Sequence, residues 1–107
     1  MPEHAVVLMT APDAAAADRI ARALVDERLA ACVNIVPGVR SIYRWEGKVE
    51  DSTEVLLVAK TRAALFERLE ARVRALHPYD VPEIVALPLT DGSRPYLSWL
   101  DQSVLPA

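Results

Sequence analysis

The chain has 107 residues, 52% of them hydrophobic, with a single cysteine and a formal net charge of −3. That length holds one domain, residues 1–107, with a real core. The acidic balance excludes a dedicated nucleic-acid surface, which needs a basic excess, and one cysteine excludes an intramolecular disulfide.

In chain order, Ala5-Val6-Val7-Leu8-Met9 is a short, wholly apolar strand candidate of the kind found at a sheet centre. It is too short for a signal-peptide core. No stretch approaches a bilayer span, so a cytoplasmic domain without membrane partners is expected. Pro12 offers a first-turn helix residue and Asp13 a carboxylate for the positive helix end. Ala17, Ile20, Ala21 and Leu24 then recur at helical spacing, giving an amphipathic helix to about Arg28.

A second strand is expected at residues 30–36. Pro37-Gly38 interrupts it as a turn or bulge, and it resumes at residues 41–45. Gly47 supplies the reversal, because glycine tolerates positive φ. The return strand runs from about Val49 to Lys60. Thr61 is placed to cap a second helix, whose apolar stripe is Leu65, Leu69, Val73 and Leu76. A fourth strand is expected at residues 83–89 and a short helix at residues 95–102.

This order defines an α+β, ferredoxin-like split β-α-β sandwich (βαββαβ) with a long second hairpin and a short C-terminal helix. Such a hairpin has edges that another chain must pair with or hide, so oligomerisation is expected. Tyr43 and Trp45 on the hairpin, with Tyr96 and Trp99 on the tail, are the candidate interface anchors.

The densest chemistry lies at His77-Pro78-Tyr79-Asp80-Val81-Pro82-Glu83. Each proline biases the residue before it away from helical geometry. The helix must therefore end near His77 and hand over to a strand near Glu83. An imidazole, a phenol and two carboxylates on a stiff connection are candidate site groups. The plain alternative is a proline-stiffened turn whose histidine bonds to helix-terminal carbonyls.

Leu29-Ala30-Ala31-Cys32-Val33-Asn34, Tyr43-Arg44-Trp45-Glu46-Gly47-Lys48, Glu54 with Lys60-Thr61, and His77-Pro78-Tyr79 with Pro82-Glu83 together resemble the CutA family of divalent-cation tolerance proteins. Thr10-Ala11-Pro12-Asp13 and Tyr96-Leu97-Ser98-Trp99 extend the resemblance over nearly the whole chain. The resemblance implies a ferredoxin-like homotrimer, kinship with PII signalling proteins, and binding of copper or another divalent cation. Some metal-binding members carry a cysteine on the first strand and paired histidines before the motif's proline. Met9, Leu76 and His77 stand there in this chain. Metal binding of modest affinity is thus expected through His77, Met9 and Glu83, with no organic cofactor.

Other donors are weaker. Cys32 reads as a small apolar strand residue. His4, near the terminus, reads as a solvated group able to bind Cu(II) weakly with the terminal amine. No nucleophile elbow or phosphate-cradling glycine loop is present, so an enzyme is not expected. The rival reading is a PII-like ligand sensor, with Lys60, Tyr79 and Glu83 lining a cleft between subunits. The alternative is that these groups form interface salt bridges and hydrogen bonds that lock the trimer, the preferred reading for Lys60 and Glu54, while Tyr79 and Glu83 stay open to either.

Overall fold

The computed structural model describes residues 3–106. Its elements are β1 (His4–Ala11), α1 (Ala14–Asp26), β2 (Cys32–Trp45), β3 (Lys48–Arg62), α2 (Phe66–Leu76), β4 (Ile84–Leu89) and α3 (Arg94–Ser103). The strands form one antiparallel sheet in the order β2-β3-β1-β4. That order and the α1 and α2 crossovers make the expected split β-α-β arrangement. None of its helices is long and apolar enough to cross a membrane.

Asp13 is not inside the first helix but caps it, its carboxylate accepting from Ala16 N–H at 2.8 Å. Pro12 stands outside. The second strand does not stop at Pro37-Gly38. It continues to Trp45 across a bulge between Val36 and Val39, with Gly38 at φ 74°. Pro37 and Gly38 stand opposite the single residue Val55, so β2 carries one extra residue while pairing with β3 persists. At the tip, Glu46 and Gly47 have φ of 51° and 80°. Two positive φ values in a two-residue loop match the twist of the strands they join. The arm gives the molecule a long axis of 44 Å.

Thr61 does not cap α2. It is fully buried at the end of β3, and its Oγ1 donates to Leu29 O at 2.7 Å. The chain instead enters α2 through a 3₁₀ turn, Ala63–Leu65, with no side-chain cap. The expected stripe holds: Leu65, Leu69 and Val73 are buried, and Leu76 is partly so.

Strand alternation assigns the core. Val7, Met9, Leu57 and Ala59 face α1 and α2, where they meet Ala17, Ile20, Leu24 and Leu69 at essentially zero exposure. The opposite sheet face is also apolar. Val6, Leu8, Leu56 and Val58 lie there half-buried, flanked by exposed Val36, Val85 and Leu87. α3 sits at one end, where Leu100 and Val104 pack with Leu65. His4 is no solvated group: its ring bonds to Asp101 of α3 at 2.8 Å, with the side chain 11% exposed.

Candidate functional site

Helix α2 ends where Pro78 requires it, with His77 extended at φ −79° and ψ 136°. This turns the imidazole inward against β1. His77 Nε2 donates to Thr10 O at 2.7 Å, and Nδ1 accepts from Tyr79 N–H at 3.1 Å. Both ring nitrogens are used, and the residue is 8% exposed. The ring also packs against Tyr79, with centroids 4.9 Å apart. His77 thus ties the 78–83 connection to the first strand.

That arrangement disagrees with a His77–Met9 metal pair. Met9 is 1% exposed and points into the helix-covered core. Its carbonyl neighbour Thr10, not its sulfur, receives the imidazole. An all-apolar β1 has no alternation from which to read the face of Met9 in advance. Among the described residues, no three His, Cys, Asp or Glu side chains gather as a bound metal would require. A copper or zinc centre ordinarily needs three or four converging ligands. The residues of one chain do not fit such a centre.

What the connection does form is one wall of a cleft of about 700 Å³, with the β2–β3 arm opposite. Thr10, Tyr43, Trp45, Glu54, Tyr79, Asp80 and Glu83 line it. Register explains why the arm contributes these residues. Beyond the bulge, Val39 pairs with Glu54 and Tyr43 with Glu50, so Val39, Ser41, Tyr43 and Trp45 share the face of Glu54. Tyr43 and Trp45 are 40% and 46% exposed, whereas Glu54 is 6% exposed. The Tyr79 hydroxyl donates to Glu54 Oε2 at 3.3 Å. Burial raises the Tyr79 phenol above its ordinary value, and the Glu54 carboxylate beside it raises it further.

Within one chain Tyr79 and Glu83 border the same cleft, whereas Lys60 stands apart. It lies six residues from Glu54 on β3, a distance of about 20 Å along a strand. There its ammonium donates to Asn34 Oδ1. A Lys60–Glu54 ion pair within one chain is excluded by the same separation. Within the single chain Glu54 and Tyr43, read from sequence as interface groups, line this cleft. At the far end, Tyr96 and Trp99 pack against each other at 5.4 Å between ring centroids. Burial raises the Tyr96 phenol, with the nearby Cys32 adding to the shift. Cys32 is a half-buried free thiol.

The sheet order, the crossovers and the long arm define a ferredoxin-like protein of the elongated-hairpin kind. Residues 5–103 match the family described as CutA1 divalent ion tolerance protein, and the chain belongs to that family. The divalent-cation tolerance protein CutA of Thermus thermophilus is 59% identical over 98 residues, covering 92% of this chain and 95% of that protein. The chloroplastic CutA of Arabidopsis thaliana is 54% identical over 92% of this chain, which spans 54% of that protein's length. Among solved structures, CutA1 from Oryza sativa superposes with a TM-score of 0.96 at 47% identity, covering 99% of this chain and 97% of that one.

Proposed function

We propose that this chain is a homotrimeric divalent-cation tolerance protein, not an enzyme, that meets copper or similar divalent ions with modest affinity. The observation that carries the assembly is the second sheet face. Its apolar residues include Val85 and Leu87, 47% and 51% exposed in the single chain. A contiguous apolar face beside two free sheet edges marks a contact surface. The family name supports the link to divalent cations. A cytoplasmic setting is part of the same proposal, whereas plant relatives are named chloroplastic.

Modest affinity follows from the side chains. With His77 engaged on both nitrogens and Met9 sealed in the core, the accessible donors of the 78–83 connection are Asp80 and Glu83. One or two carboxylates without imidazole or thiolate hold copper weakly. Calorimetric titration of Cu²⁺ into the wild type, His77→Ala and Glu83→Gln tests this. Binding should weaken in Glu83→Gln and persist in His77→Ala, although the latter loses stability. Abolition by His77→Ala in a protein that stays folded would return the imidazole to the role of ligand.

A further inference from the structure

Asp91-Gly92 is the one aspartyl-glycine pair in the chain, and the fold leaves it outside every element. It lies between β4, which ends at Leu89, and α3, which begins at Arg94. Both residues are exposed. Among the described residues, neither takes part in a backbone–backbone hydrogen bond. The Gly92 N–H instead donates to the Asp91 carboxylate, with nitrogen and Oδ1 2.9 Å apart. The acidic side chain is thus folded back onto the peptide nitrogen that follows it.

Glycine suits that contact, because a side chain at this position would hinder the approach of its nitrogen to Cγ. Gly92 is also held in place, since a Cβ there would stand 3.1 Å from Leu97 Cδ2. The other small-residue successors are shut off. Asp13 spends its carboxylate on Ala16 N–H at the start of α1. Asp51-Ser52 lies in the β2–β3 ladder, with the carboxylate in the fork of Arg40 at 2.9 and 2.6 Å. Arg40 holds that carboxyl below its ordinary range, and an ionised carboxylate has no hydroxyl to lose.

We propose that Asp91 is a self-modifying site, converting through a succinimide to isoaspartate and so becoming a substrate for a repair carboxyl methyltransferase. The Gly92 nitrogen attacks Cγ of the protonated carboxyl. The N–Cγ bond forms, and the amide proton and the carboxyl hydroxyl leave as water. Water then opens the five-membered ring at either carbonyl. Breaking the N–Cγ bond restores aspartate, whereas breaking the original peptide bond routes the main chain through the side chain. One water is lost and one regained, so the mass is unchanged. The product bears a free α-carboxylate, which can take a methyl group from a sulfonium donor that departs as a thioether. It also inserts one main-chain atom ahead of α3, at the point where Gly92 packs on Leu97. The reaction is internal to a loop beyond the end of β4, so it requires water but no room for a ligand.

The assembled protein is incubated near neutral pH and digested at intervals. Chromatography and fragmentation locate isoaspartate, and isoaspartyl methyltransferase with labelled S-adenosylmethionine counts it. Isoaspartate should accumulate at Asp91 about tenfold or more faster than at Asp51, whose paired strand must open first. Asp91→Glu should lose this signal, because the six-membered ring closes far more slowly. Circular dichroism and sedimentation establish that its fold and assembly are unchanged, and the mapped wild-type digest stands without the variant. A synthetic peptide of residues 88–95 is the unhindered reference. Absence of isoaspartate at Asp91 over a period in which that peptide converts would overturn the proposal. Equal accumulation at Asp51 would overturn it too, as would full methyl incorporation in folded Asp91→Glu.

Discussion

The two faces of the sheet are built from similar residues but end in different states. On one, Val7, Met9, Leu57 and Ala59 are 0–1% exposed beneath α1 and α2. On the other, Val36, Val85 and Leu87 are 43–51% exposed, with α3 reaching one end through the Asp101–His4 bond and Tyr79 reaching Glu54 at the other. The first face is complete within one chain and supplies the burial that folds the protomer. The second has the composition of a core and half of its covering. One face therefore reports on folding and the other on association, and substitutions on each should separate the two.

The largest effect belongs to the closed face. Leu57→Ala removes a fully buried side chain among atoms that cannot collapse around the gap, and should cost about 2–5 kcal/mol. Denaturant unfolding measures it; a loss below about 1 kcal/mol would show the face to be loosely packed. Next is Leu87→Asp on the open face. The protomer should keep its circular dichroism spectrum while the oligomer dissociates, because a carboxylate in an apolar contact has no partner. Retained assembly would move the interface elsewhere, to the hairpin or tail aromatics.

The smallest effect concerns the groups at the cleft. Tyr79 has its phenol raised by burial and by Glu54. The unfolded phenol ionises near pH 10, while the folded one holds its proton to higher pH. Stability is thus fully present below about pH 10 and declines as pH rises through the folded value. Tyr79→Phe should flatten part of that decline, measured as denaturant midpoints between neutral and strongly alkaline pH. Parallel curves for the two proteins would show that the phenol is not coupled to folding.

The order of elements was legible because each carries its own period: helical in residues 17–24 and 65–76, and extended between the Pro and Gly breaks. The bulge was legible as an interruption at Pro37-Gly38, but not its outcome, since whether a strand resumes in the same ladder depends on the β3 partner. Thr61 looked like a helix cap because threonine before an apolar stripe usually is one. A tertiary bond to Leu29 O took the hydroxyl instead. The 78–83 connection announced itself through its prolines. The pairing of its residues did not, because long-range register decides that Glu54 and Trp45 face Tyr79 while Lys60 lies far along β3. The same limit placed Met9 with His77. Adjacent residues of one strand point to opposite faces, and an unbroken apolar run conceals which is which.

The central claim is that the open sheet face is covered by further copies of this chain. Sedimentation equilibrium of the metal-free protein at micromolar concentration tests it most directly. The account predicts a single species at about three times the 11.8 kDa chain mass, unchanged by a chelator. A single species at 11.8 kDa would contradict it, because Val85 and Leu87 would then stand exposed in solution with nothing to cover them.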